Sequence, residues 1–137
     1  DGNGRLNIVE CYDPKEDRWE FKANMTNKDI SFGAINFENK IYVVGKYTSE
    51  VYIPQENRWN KIPSPNVSER GRSLVVFQDK LVVIGGRIGD IKESKSVPTV
   101  QYYDFASRVW KTAKDMNVPR SYHAAAVISY QLYPFNL

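Results

Sequence analysis

Histidine and cysteine are almost absent from this chain, which holds one of each, His123 and Cys11, among its 137 residues. A lone imidazole and a lone thiol cannot assemble the ligand sets of zinc or copper sites, so no metal centre is expected in this segment. One cysteine also excludes an intrachain disulfide and suits a reducing compartment. Long apolar runs are missing: nothing approaches the roughly 20 residues that span a bilayer, and no signal-peptide pattern opens the chain. The expected setting is therefore cytoplasmic, with no membrane partner. Charge excess is small, with 19 Lys and Arg against 16 Asp and Glu for a net +3. Nucleic acid calls for a denser basic stripe and is not expected as a partner; a mild positive balance favours acidic protein segments instead. No phosphate loop follows Gly85-Gly86. The carboxylates Asp13, Asp17, Glu38, Asp79 and Asp104 fall in turns rather than forming a pair across a pocket. No catalytic residue, metal ligand or cofactor site is assigned, and the chain is not expected to be an enzyme. Two glycosylation sequons, at Asn24 and Asn66, have no consequence in the cytosol.

What the chain does have is 42% hydrophobic and 13% aromatic residues, enough for a packed core. The aromatics are ordered. Tyr12 precedes Trp19, Tyr52 precedes Trp59 and Tyr103 precedes Trp110, each by seven residues, within VECYDPKEDRWEF, SEVYIPQENRWNK and VQYYDFASRVWKT. The tryptophans stand 40 and 51 residues apart, which is the signature of one supersecondary unit copied along the chain and stacked on its neighbours.

Each copy reads as four short antiparallel strands. Phe32 to Phe37 and Ile41 to Val44 are β-prone runs separated by Glu38, Asn39 and Lys40, and Ser73 to Phe77 and Leu81 to Ile84 repeat the design around Gln78, Asp79 and Lys80. Asn or Asp within so short a connection tolerates the left-handed backbone of a hairpin. Glycine follows each second strand, as Gly45-Lys46 and Gly85-Gly86, and the third and fourth strands end and begin on the Tyr and Trp of each pair. The 11-residue difference between the two spacings falls wholly between strands two and three, where RIGDIKESKSVP predicts a long exposed loop.

These marks, together with Tyr12-Asp13-Pro14 and PRSYHAAAV at Pro119 to Val127, resemble the Kelch repeat family over residues 4 to 128. The texture is most similar to the Kelch-like proteins. The fold expected is all-β: about three four-stranded antiparallel blades of a larger, six-bladed propeller, closed propellers having roughly four to eight. Residues 1–25 are expected to supply the third and fourth strands of a partial blade, 26–65 a blade, 66–116 a blade with the long loop at 87–98, and 117–137 the first strand of a further blade plus an aberrant tail. In that tail SYQLYPFNL replaces a second strand and its double glycine, and Pro134 would remove a ladder donor. Lys46, Ile53 and Phe105 also depart from the family pattern.

The resemblance implies a protein-interaction module. In the Kelch-like proteins a propeller follows BTB and BACK domains and recruits substrates to a cullin-RING E3 ubiquitin ligase; neither domain lies within this segment. A cytoskeletal, actin-binding Kelch protein is the alternative, and a fragment of a propeller enzyme is a third. The binding face carries the loops after strands two and four, placing Arg5, Lys46, Tyr47, Arg70, Arg72, Arg87, Lys92, Lys95, Arg120 and Tyr122 there. By resemblance, Arg70, Arg72 and Arg120 just before a first strand grip acidic groups of a bound peptide, through bidentate guanidinium–carboxylate pairing. The aromatic pairs are expected to pack blade on blade, Cys11 to act as a small buried hydrophobe, and His123 to be a satisfied structural residue.

Overall fold

A computed structural model describes residues 4–29, 31–66, 70–90 and 93–128. The tail SYQLYPFNL and the predicted site residue Lys92 lie outside them. Among the described residues, twelve strands are arranged in antiparallel sheets. β1 (Val9–Asp13) and β2 (Arg18–Lys22) make a two-stranded sheet. β3 (Gly33–Phe37), β4 (Lys40–Val44), β5 (Ser49–Ile53) and β6 (Arg58–Lys61) make a four-stranded one in chain order. β7 (Ser73–Phe77), β8 (Lys80–Ile84), β11 (Val100–Asp104) and β12 (Val109–Thr112) make another, and β9 (Arg87–Ile88) with β10 (Lys95–Ser96) forms a small ribbon between β8 and β11. A one-turn 3-10 helix, Pro54–Glu56, links β5 to β6.

The register explains the repeat. Tyr12 lies opposite Trp19, Tyr52 opposite Trp59 and Tyr103 opposite Trp110, with ring centroids 5.3, 5.0 and 5.4 Å apart. Seven residues is the spacing that makes a strand, a turn and a returning strand place the two rings as a cross-strand pair. Two of the indoles then tie one unit to the one before it. Trp59 Nε1 donates to Ala23 O at 2.8 Å and Trp110 Nε1 donates to Pro63 O at 2.7 Å.

The hairpins are tighter than the sequence suggests. Phe37 pairs with Lys40 and Phe77 with Lys80, so the connections are two residues long, not three. Both central residues are left-handed in each: Glu38 and Asn39 at φ 49 and 58°, Gln78 and Asp79 at 47 and 54°. That is the type I′ geometry, whose twist matches the strands it joins.

The core lies between the two four-stranded sheets. Tyr42, Val44 and Val51 of one meet Leu81, Val83, Tyr103 and Trp110 of the other, and Val44 and Leu81 are fully buried. Burying each of these two side chains stabilises the fold by about 1.5–3 kcal/mol. Phe105, which breaks the Tyr-Asp-Pro pattern, lies within this seam, 5.5 Å from Phe37, 5.6 Å from Tyr42 and 5.0 Å from Tyr103 between centroids. The departure from the motif is thus a packing residue. Among the described residues no helix is long and apolar enough to cross a membrane.

Two expectations are corrected. Cys11 is exposed: it lies opposite Glu20 on β2 and lines the open cleft that also holds Met25 and Trp59, not the packed seam. His123 is anchored through its carbonyl, which accepts from Ser73 Oγ, while both ring nitrogens are enclosed without a hydrogen-bond partner.

Candidate functional site

The long insertion after β8 folds back rather than ranging free. Arg70 and Arg87 exchange backbone hydrogen bonds, Arg70 N to Arg87 O at 3.1 Å and Arg87 N to Arg70 O at 2.9 Å. On the other side Gly86 N donates to Arg120 O at 2.8 Å, Arg120 N to Val97 O at 3.3 Å and Val97 N to Gly86 O at 2.9 Å. The β9–β10 ribbon is therefore sewn at its base to both lead-in segments that flank it. Ser96 and Ser121 add a hydroxyl–hydroxyl bond at 2.9 Å.

This stitching gathers five of the seven predicted site residues. Arg70 Nη2 donates to Gly89 O at 3.2 Å and Arg87 Nη2 to Ser94 O at 2.9 Å, so both guanidiniums brace the ribbon by one corner. Lys95 and Arg120 are exposed beside them. Tyr122 is 65% exposed and its amide donates to Gly71 O at 2.7 Å. Its ring covers Gly71, where a Cβ would fall 2.8 Å from the ring carbons. Only glycine lets the phenol lie so close, and Gly71 is also left-handed, at φ 65°.

Arg72 differs from the set. It is 7% exposed, with its Nε enclosed, so it supports the surface from beneath rather than presenting a guanidinium to a partner. It stands one residue before β7, on the opposite face from buried Ser73, so both faces of the chain are covered where this strand begins.

A second cluster occupies the corresponding place on the preceding four-stranded sheet, after β4. Arg5 Nη2 donates to Tyr47 Oη at 3.2 Å, with its guanidinium carbon 4.3 Å from the ring centroid, and Lys46 Nζ lies 4.8 Å from the same centroid. The Lys46 hydrogen bond, then the Arg5 charge, hold the Tyr47 phenol below its usual range. The loop is fixed from below by Asp29, whose Oδ2 accepts from Tyr47 N at 3.0 Å and Thr48 N at 3.1 Å. Fully buried Glu50 accepts from Thr26 N at 2.8 Å, Asn27 N at 3.3 Å and Thr48 Oγ1 at 2.8 Å. Sequence reasoning placed Arg5, Lys46 and Tyr47 on this face but missed Asp29 and Glu50. Glu50 has one sign, standing alone among the uncharged residues Tyr47 to Pro54, whereas Asp29 follows Lys28 and has none.

Such a surface offers cations and phenols held by backbone on short loops, suited to binding carboxylates at a protein surface. Among the described residues no group of three or more His, Cys, Asp and Glu is placed to hold a metal ion.

Comparison with known proteins agrees with this architecture. The Kelch motif model matches residues 1–26 and 70–117. Kelch-like protein 24a of Danio rerio is 32% identical over 130 residues, covering 93% of this chain and 21% of the relative. Kelch-like protein 21 of Mus musculus is 30% identical with the same coverage, and alpha-scruin of Limulus polyphemus is 33% identical over 128 residues, covering 83% of this chain and 14% of that protein. The chain thus spans about a fifth or less of the length of these relatives. The solved structure of YjhT superposes with a TM-score of 0.74 at 13% identity over 86% of this chain and 41% of that one, a likeness of fold alone. With the repeat, the four-stranded sheets and a family model matching more than half of its residues, the chain belongs to the Kelch motif family.

Proposed function

We propose that this segment recognises an acidic stretch of a partner protein, and that it serves as the substrate-recognition part of a cullin-RING E3 ubiquitin ligase. The observation that carries the reading is the convergence of Arg70, Arg87, Lys95, Arg120 and Tyr122 around one sewn ribbon. Three arginines and a lysine within one patch outnumber Asp90 and Glu93 at the ribbon's tip and favour carboxylate ligands, because planar guanidiniums pair with carboxylates bidentately. The ligase connection draws support from similarity to Kelch-like proteins and requires BTB and BACK domains elsewhere in the polypeptide.

The test is a pull-down followed by titration of an acidic peptide mapped from a captured partner. Arg70→Glu with Arg120→Glu should weaken binding at least about tenfold, roughly 1.4 kcal/mol, since each reversal replaces attraction by repulsion at the rim. Arg72 is left intact, because reversing a buried guanidinium would disturb the fold itself. Unchanged affinity in a folded double variant would remove the site assignment. Cosedimentation with actin filaments that survives the double reversal would favour the cytoskeletal alternative.

A further inference from the structure

The three copies of the Tyr–Trp turn differ at one position. Five residues after each tyrosine the backbone is left-handed, at Asp17, Asn57 and Arg108 with φ of 49, 46 and 56°. In the first two copies that residue also caps its tyrosine: Tyr12 Oη donates to Asp17 Oδ1 at 2.7 Å, and Tyr52 Oη to Asn57 Oδ1 at 2.8 Å. Asn and Asp adopt this conformation more readily than other side-chain-bearing residues, and their short side chains bring the acceptor with them. Arginine does neither. Arg108 has no acceptor to offer the Tyr103 hydroxyl, which finds no other among the described residues.

The same copy departs a second time, at Phe105, which stands where Pro14 and Pro54 stand in the others. Both changes meet at one place. Beside the buried seam, between the two complete four-stranded sheets, lies a cleft of about 630 Å³ lined by Tyr42, Val51, Ile62, Tyr103, Phe105 and Arg108. That volume is within the range of roughly 300–1,000 Å³ usual for small-molecule sites. Its charge is of one sign: Arg108 and Lys61 line it, and no Asp or Glu does among the described residues. Asp104, next to Tyr103, is held by Lys111 and by the amides of Ala106 and Ser107. Burial, then the Glu38 charge, push the Tyr42 phenol up, and burial does the same to Tyr103 against the opposing Arg108 charge. Both hydroxyls therefore keep their protons and can donate. The cleft is also distinct from the arginine surface, because β8 and β11 are antiparallel neighbours: the β9–β10 ribbon leads into the start of β11, and Arg108 follows its end.

We propose that this cleft binds a small apolar molecule bearing one carboxylate, its ring lying on Phe105, Tyr42 and Ile62 and its carboxylate meeting the Arg108 guanidinium and the Tyr103 hydroxyl. A guanidinium pairs with a carboxylate through two parallel hydrogen bonds, and the phenol adds the donor that the other two copies spend on their own turns. Apolar walls with a few polar groups at one end fix the orientation of such a ligand. The left-handed arginine fits the same reading, since backbone held in a sparsely populated region gathers at ligand sites.

Naphthoate is the probe, followed by amide correlation spectra of the protein. Titration should move the signals of Lys61, Ile62, Tyr103, Phe105 and Arg108 saturably and leave those of Arg87 and Arg120 in place. Naphthylmethylamine, the same ring with the opposite charge, should move none of them. Arg108→Asn restores the capping residue of the second copy, so its melting temperature should equal or exceed the parent's while naphthoate binding weakens at least about tenfold. Tyr103→Phe should weaken binding several-fold and keep the aromatic pair with Trp110. Arg70→Glu with Arg120→Glu should leave naphthoate affinity unchanged, so that this site and the acidic-segment surface stand or fall separately. Equal affinity in the parent and in folded Arg108→Asn overturns the proposal. So does amine binding as tight as that of naphthoate, which means burial of the ring alone, and so does a titration with no saturable shift. Shifts confined to Arg87 and Arg120 overturn it as well, by placing the carboxylate on the other surface.

Discussion

Glu50 is the residue on which most of the local order around the second sheet depends. Its carboxylate is fully buried and takes hydrogen bonds from two amides of the Thr26–Asn27 link and from the Thr48 hydroxyl, joining the end of the first sheet to the loop that carries Tyr47. Gln101 holds the same register position on β11 and is also buried, so the place asks for an acceptor rather than for a charge. Glu50→Ala leaves three donors unmet and should cost about 2–4 kcal/mol, whereas Glu50→Gln should cost about 1 kcal/mol; urea midpoints of the two variants check the order. Asp104 makes a contrasting case near the surface. A hydrogen bond from Lys111, then the Ser107 amide, lowers its pKa from 3.8 to about 2. A lowered carboxylate pKa means that the folded state prefers the ionised form, so the stabilisation is whole above about pH 4 and fades as pH falls towards 2. Asp104→Asn should therefore flatten the acid limb of the stability profile between pH 4 and 2 and leave the pH 6 to 7 plateau parallel to the parent's. An unchanged acid limb would show that the pair has no part in it.

At the scale of elements, the hairpins and the aromatic pairs were legible, and the length of the turns and the ribbon were not. The Tyr–Trp spacing and the two apolar hairpin runs are local patterns, and local patterns survive translation into strands and register with little interference. The β9–β10 ribbon is polar, and its position follows from backbone bonds to Arg70 and Arg120, residues distant in the chain from the ribbon they hold. Composition carries no trace of such bonds. The burial of Arg72 and the exposure of Cys11 escaped for a related reason: each depends on what lies beside the strand, not on the strand. The type I′ turns sharpen this, since Gln78 and Asp79 are both left-handed where Asn and Gly are the residues that adopt that conformation most readily. Replacing the pair by Asn-Gly should relieve strain and raise stability by about 1 kcal/mol, measured as a higher denaturant midpoint at constant slope. A lower midpoint would mean that the Gln78 and Asp79 side chains hold the turn in some other way.

For the molecule as a whole, stability should be graded along the chain. The two four-stranded sheets share one buried seam, running from Tyr42 and Val44 through Leu81 and Val83 to Tyr103 and Trp110, and Phe105 closes it with aromatic neighbours on both sides. β1 and β2 pair chiefly with each other, and their attachment to the rest rests on bonds such as Trp59 Nε1 to Ala23 O and Ala23 N to Asn57 Oδ1. Cooperative units with little buried apolar area open at lower free energy than the units that hold the core. Hydrogen exchange should thus show the amides of Val9–Asp13 and Arg18–Lys22 opening well below the global unfolding free energy, and those of Lys80–Ile84 and Val100–Asp104 exchanging only near it. Equal protection throughout would mean that the first sheet is already welded to the seam, with the bonds from Trp59 and Asn57 to Ala23 opening only when the core opens.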